Sequence, residues 1–263
     1  MRRHQEARVN TQTHPTRRTL MAMSGAALAL GACGRKSGAP GALVVGSTAT
    51  GAPFSFLDLK TNQLTGAMID IAHAVAAKAG LAIRIQTTTF AALVPSLTAR
   101  KIDMIAAGIL RTPEREKVVA FTDPVYAYGG GVVTAQGQTR PIRALADLKG
   151  LSVGAQVGTR FVDQLAQAGV TDVKTYDNLG DILQDLGNGR IAAGYGDAPI
   201  LAHRLRTTPN AALRLAPDFT PPSREDVCLL VRRDDPALLA KLNAAIGQIK
   251  ATEIAAILTK WSL

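Results

Sequence analysis

Ala67-Met68-Ile69-Asp70-Ile71-Ala72-His73-Ala74-Val75-Ala76-Ala77-Lys78-Ala79 carries its apolar residues at helical spacing, and beyond Gly80 the run Leu81-Ala82-Ile83-Arg84-Ile85 reads as a strand. The same exchange of period repeats on both sides. Leu43-Val44-Val45-Gly46 is a strand candidate upstream, Phe90 to Ala99 is helical, and Lys101-Ile102-Asp103-Met104-Ile105 returns to strand. Strands separated by helix-length segments build βαβ units, which makes the chain α/β with a largely parallel sheet. A second series follows Gly129-Gly130-Gly131-Val132-Val133, where glycines precede a β-branched run. Its strands are expected at 152–155, 173–176 and 192–195, and its helices at 161–168, 179–186 and 199–205. Pro217 to Ser223 is a proline-rich loop, and Val227-Cys228-Leu229-Leu230-Val231 is a further strand. Helices over 236–250 and 253–261 close the chain. The glycine run and the strand at Val227 are candidate crossings between two α/β halves, and the cleft between such halves is the natural ligand site.

The first forty residues read as an address. Thr16-Arg17-Arg18-Thr19-Leu20-Met21 has the form of a twin-arginine signal, and an apolar stretch of small residues runs from Leu20 to Ala32. Leu30-Gly31-Ala32-Cys33 matches the lipobox of bacterial lipoproteins: a small residue admits the peptidase, and the thiol carries the diacylglycerol. Residues 1–32 are therefore expected to be a signal peptide, with cleavage before Cys33 and a lipid anchor on that cysteine. Residues 33–41, rich in Gly, Ser and Pro, form a tether to the membrane.

Composition removes other classes. The net charge of +10 would suit nucleic acid, but residues 1–32 hold Arg2, Arg3, Arg8, Arg17 and Arg18 against Glu6 alone. The remainder is scattered, without a basic stripe or interleaved aromatics, so no nucleic-acid partner is expected. With only Cys33 and Cys228 there is no disulfide framework, and no His or Cys cluster has metal-ligand spacing. No cofactor is implied. Cys228 is expected to be a buried thiol in a strand.

Pro53-Phe54-Ser55-Phe56, Leu64-Thr65-Gly66, Ile69-Asp70-Ile71-Ala72, Phe90-Ala91-Ala92-Leu93-Val94-Pro95-Ser96-Leu97, Thr112-Pro113-Glu114-Arg115 and Phe121-Thr122-Asp123-Pro124 occur in an order that resembles the polar amino-acid solute-binding proteins of bacterial ABC importers. Leu145-Ala146-Asp147-Leu148-Lys149-Gly150, Gly158-Thr159 and Asn188-Gly189-Arg190 continue the likeness, which runs from about Leu43 to Trp261. The resemblance implies a two-lobed periplasmic-binding-protein (type II) fold, each lobe a mixed sheet flanked by helices, with the ligand cleft at the hinge. Residues 42–130 and 225–263 would form the first lobe and 131–224 the second. It also implies capture of a small amino-acid-like ligand by a monomer that hands it to an ABC permease in the inner membrane. The protein would work in the periplasm or at the cell surface, held there by the lipid.

The residues themselves fit such a ligand. A free amino acid brings a carboxylate and an ammonium, and both must be paired on burial. Arg115 stands where the family holds the carboxylate, a task suited to a planar guanidinium fork; the plain alternative is a surface arginine paired with Glu114 or Glu116. Gly158 and Thr159 lie between strand and helix, where backbone N–H groups face an anion, although Thr159 could equally be an ordinary helix cap. Asp197 matches the acid that meets the ammonium, or it caps a helix. The Gly108 carbonyl would accept from the ammonium, and Phe90 would pack along the side chain or belong to the core. Phe54 is implied at the site by its motif.

Departures from the family pattern blur the ligand. Leu110 replaces a head-group hydroxyl, Ala107 another, and Gly51 an aromatic lid. Thr48 stands where members for basic amino acids carry an Asp, which argues against a cationic side chain. Arg160 adds a cation beside Thr159, either for a second carboxylate or for solvent. Two rival readings remain. One is a dehydratase on the same fold, acting on prephenate or arogenate, with Glu225 as its acid. The other is a ligand sensor that feeds no importer. The main expectation is a binding protein rather than an enzyme.

Overall fold

The computed structural model describes residues 41–263. The expected signal peptide, Cys33 and nearly all of the tether lie outside the described residues. Two mixed sheets organise the rest. The first runs in the order Ile83–Thr87, Leu43–Ser47, Met104–Ile105, Leu230–Arg232, Val119–Phe121. Its first three strands are parallel, and the last two pairings are antiparallel. The second runs Val173–Tyr176, Val153–Gln156, Ala193–Asp197, Tyr126–Ala135, Leu213–Leu215, with Arg224–Val227 also pairing Tyr126–Ala135. A small antiparallel sheet of Thr50–Gly51, Ser55–Asp58 and Gln63–Thr65 sits beside the first. The sheets are thus mixed rather than largely parallel, because the strands that carry the chain between the halves run against their neighbours.

Each sheet is covered by its own helices, giving two lobes. Ala67–Lys78 and Leu93–Thr98 pack on the first, Arg160–Gln167, Leu179–Gly187 and Ala198–Thr207 on the second. The long helix Ala67–Lys78 buries Met68, Ile69, Ile71, Ala72 and Val75, the face its periodicity marked out. The C-terminal helices Pro236–Ile249 and Ala255–Lys260 return to pack against it. Its Asp70 accepts from Lys260 Nζ at 2.7 Å and Trp261 Nε1 at 2.8 Å, pinning the end of the chain to the first lobe.

The glycine run is the main local surprise. Gly129, Gly130 and Gly131 do not precede a strand; they lie inside Tyr126–Ala135 and are buried. Crowding explains them. A Cβ at Gly129 would stand 2.7 Å from Pro221 Cγ, at Gly130 2.6 Å from Tyr195 Cζ, and at Gly131 3.0 Å from Ala198 Cβ. The expected strand at 227–231 is also divided: Arg224–Val227 belongs to the hinge ladder and Leu230–Arg232 to the first sheet. Cys228 falls in the gap, fully buried as a free thiol, and burial pushes that thiol up to about 12. Phe90 to Ala99 opens as a tight turn, Phe90–Ala92, before the α-helix Leu93–Thr98.

Candidate functional site

The cleft between the sheets gathers residues from four places in the chain. On the first lobe, Thr112 caps the single-turn helix Pro113–Glu116, its side chain accepting from the Arg115 N–H, and this local geometry sends the Arg115 side chain toward the cleft. Arg115 pairs with neither neighbouring glutamate, since Glu116 is taken by Arg111. Its Nη1 donates to the Leu110 carbonyl at 2.6 Å and its Nη2 crosses the cleft to the Gly158 carbonyl at 3.0 Å. The guanidinium lies 5.7 Å from the Phe90 ring centre, within cation–π reach. Burial pulls Arg115 below its ordinary value, opposed by Tyr128 and Asp197, yet a guanidinium stays charged.

On the second lobe, Thr159 and Asp197 both occupy the position before a helix, and neither caps it with its side chain. The Thr159 hydroxyl instead donates to the Gln156 carbonyl at 2.6 Å. That leaves the first N–H groups of Arg160–Gln167 without a side-chain acceptor from that residue. Asp197 is buried and turns toward the cleft, where its Oδ1 meets the Tyr128 hydroxyl. Burial raises the Asp197 carboxyl to about 6, against the pull of Tyr128 and Arg115. The Gly108 carbonyl accepts from the same Tyr128 hydroxyl at 2.8 Å.

Two features mark the cleft. A narrow cavity of about 20 Å³ is walled by Thr48, Phe90, Gly108, Gln156, Asp197 and Ile200, among others. A wider recess of about 260 Å³ opens between Thr112, Arg115, Gly158, Thr159 and Arg160. The lobes are closed in this conformation: Gly158 comes against Ala91, and Arg204 Nη2 donates to the Thr50 carbonyl at 3.1 Å. The narrow cavity has room for about one water.

The remaining expected positions divide. Phe54 is fully buried behind the cavity wall, stacked on Tyr128 with ring centres 5.2 Å apart. Gly108 has no space for a Cβ, which would lie 2.8 Å from that Phe54 ring. Leu110 is buried and offers its carbonyl, not a side chain. Arg160 neither binds freely nor faces solvent: it forms an ion pair with Glu225, with side-chain exposures of 24% and 13%. Thr48, bonded to Ser55 Oγ at 2.9 Å, and Gly51 both line the cavity.

A family model for bacterial extracellular solute-binding proteins, family 3, matches residues 43–263. The chain belongs to that family. "ABC transporter arginine-binding protein 1" of Escherichia coli (strain K12) is 35% identical over 210 residues, covering 78% of this chain and 84% of that protein. An ancestral arginine-binding protein solved with glutamine bound is 33% identical, with a TM-score of 0.78, and covers 84% of this chain and 97% of its own. An ancestral amino acid-binding protein described as a precursor of cyclohexadienyl dehydratase is 29% identical, with a TM-score of 0.76, and covers 84% and 96%. The solute-binding fold of this family member is therefore two-lobed α/β, with mixed sheets flanked by helices.

Sequence reasoning missed Tyr128, Gln156 and Ile200. The alternation Tyr126-Ala127-Tyr128 ahead of the glycines was the available signal for the first, since period two puts both aromatics on one face. Nothing in the sequence separates Gln156 or Ile200 from ordinary strand and helix residues. Among the described residues no group of His, Cys, Asp and Glu could hold a metal, and no helix is long and apolar enough to cross a membrane.

Proposed function

We propose that this protein captures an amino acid with an uncharged side chain between its lobes and passes it to an ABC importer. The observation that carries the reading is that Arg115 from one lobe and Asp197 from the other both face the cleft, Arg115 on its wider recess and Asp197 on its narrow cavity. A ligand carboxylate would take over Arg115 donors now given to the Leu110 and Gly158 carbonyls, and would meet the uncapped helix start after Thr159. The ammonium would face Asp197. Beyond these groups the narrow cavity offers Thr48, Gln156 and Ile200 and no second carboxylate, so a guanidinium or ammonium side chain lodged there would be buried unpaired; Glu114 and Asp163 line only the wider recess. Two of the three relatives above carry arginine in their names, and one of those was solved with glutamine; the Thr48 position argues for the neutral kind here. Residues 42–130 with 225–263 would be one moving lobe and 131–224 the other, flexing at the short ladder where Tyr126 to Gly129 pairs Arg224 to Val227. Cleavage at Cys33, lipid anchoring, periplasmic residence and a monomeric state complete the proposal.

A catalytic reading has less support, because the Glu225 carboxylate is held by Arg160 and sits off the walls of both cleft features. A thermal-shift screen of the amino acids, dicarboxylates, prephenate and arogenate tests the function. At 100 times its dissociation constant the ligand adds about 2.7 kcal/mol, or roughly 5–10 °C for a chain of this size. The shift should vanish in Arg115→Ala and in Asp197→Ala. A melting curve unmoved by every amino acid would remove the reading.

A further inference from the structure

Three oxygens meet at the back of the cleft with too few protons between them. The Tyr128 hydroxyl lies 2.8 Å from the Gly108 carbonyl and in hydrogen-bond contact with Asp197 Oδ1. A phenol carries one hydrogen and can donate to one of them. If it donates to Gly108, Asp197 must be protonated and donate to the phenol oxygen. If it donates to an ionised Asp197, the Gly108 carbonyl faces a bare phenol oxygen. The ring cannot swing away from this conflict. It is 2% exposed, stacked on Phe54 and packed beside Tyr126.

We infer that Tyr128 is the positioning residue of this site: it joins the Gly108 carbonyl of one lobe to the Asp197 carboxyl of the other and governs when Asp197 is an anion able to receive an ammonium. The inference rests on the ligand reading above and extends it to a residue outside the cavity wall. An arriving ammonium supplies the missing proton to Gly108 and neutralises Asp197, so ligand capture and ionisation of Asp197 are coupled. Below about pH 6, where Asp197 is protonated, the chain from carboxylic acid to phenol to carbonyl satisfies all three groups without ligand.

The charged surroundings leave this to Tyr128. Arg115 acts on Asp197 from the single-turn helix and favours the anion. Glu225, itself paired with Arg160, acts on Tyr128 from the hinge ladder, opposed by Arg115. Tyr195, on the strand of Asp197, has its hydroxyl engaged by the Gln164 amide at 2.7 Å. On the following helix, Arg204 is engaged by the Thr50 carbonyl and His203 contacts Arg206. Burial is the leading reason the Asp197 carboxyl stands at about 6, and the Tyr128 hydrogen bond is the first of the influences opposing it.

The test compares the wild-type chain with Tyr128→Phe by calorimetric affinity from pH 5 to pH 8, and by ¹³C NMR titration of the Asp197 carboxyl without ligand. Wild-type affinity for the amino acid found in the screen should fall roughly tenfold from pH 7 to pH 5, as the binding anion is protonated. In Tyr128→Phe burial remains and its main opponent is gone, so both the carboxyl midpoint and the onset of affinity loss should move to higher pH. Replacing Tyr128 with 3-fluorotyrosine keeps the shape, strengthens the donor and should move the midpoint down. Uniform weakening with an unchanged midpoint would show a packing role and overturn the inference; so would a midpoint indifferent to fluorination. If no amino acid binds the wild type at any pH, the ligand reading fails, while the ligand-free titration still judges Tyr128.

Discussion

Gly158→Ala separates the cost of folding from the cost of closing. Gly158 has φ of +75°, in the left-handed region that L side chains resist. An alanine there costs about 1–2 kcal/mol, and this cost falls on open and closed forms alike because it is local to the loop. It should lower Tm by roughly 2–4 °C per kcal/mol. The new methyl has a second effect that exists only when the lobes meet. It would stand 3.1 Å from both Cα and Cβ of Ala91 on the opposite lobe, well inside the 3.5–4.0 Å of an ordinary carbon contact. The turn around Ala91 is backbone, not a flexible side-chain tip, so relief requires the lobes to stay slightly apart. That same separation stretches the 3.0 Å bond from Arg115 Nη2 to the Gly158 carbonyl. Overpacking of this kind costs about 1–2 kcal/mol, which weakens ligand affinity about 5- to 30-fold. Calorimetry on the amino acid identified in the screen reads the affinity, and a melting curve without ligand reads the fold. Lower Tm with unchanged affinity would mean that the ligand-bound form does not bring Gly158 onto Ala91, and the closed geometry argued above would be wrong.

Gly130→Ala is expected to destabilise the protein by about 1–3 kcal/mol through overpacking against the buried Tyr195 ring; a chemical denaturation midpoint equal to wild type would refute the crowding explanation of the glycine run. Cys228, with its thiol raised to about 12 and no exposure, should resist alkylation at pH 8 in the native protein and react once the chain is unfolded, as read by mass spectrometry of the Cys228 peptide. Rapid native labelling would mean that the gap between Val227 and Leu230 opens readily.

The α/β class was legible in the sequence because its cause is local. Ala67–Lys78 takes the form its periodicity announces, since it buries one face against whatever covers it. Arg115 is singled out by the family likeness of Thr112-Pro113-Glu114-Arg115, and the structure shows Thr112 capping the short helix that carries it. For Thr159 and Asp197 the sequence left a ligand contact and helix capping both open, and neither side chain makes the cap. Only tertiary structure separated those uses. Both residues sit before helices, and both leave the cap unmade because a closer partner on another strand or turn claims the side chain. Arg160 and Glu225 lie far apart in sequence and carry no mark of each other, yet the hinge ladder brings them into an ion pair. The glycines of Tyr126–Ala135 read as a break because sequence shows what a residue lacks and not what stands beside it. Their neighbours Pro221, Tyr195 and Ala198 arrive from later elements, and that contact between distant segments is what no local pattern encodes.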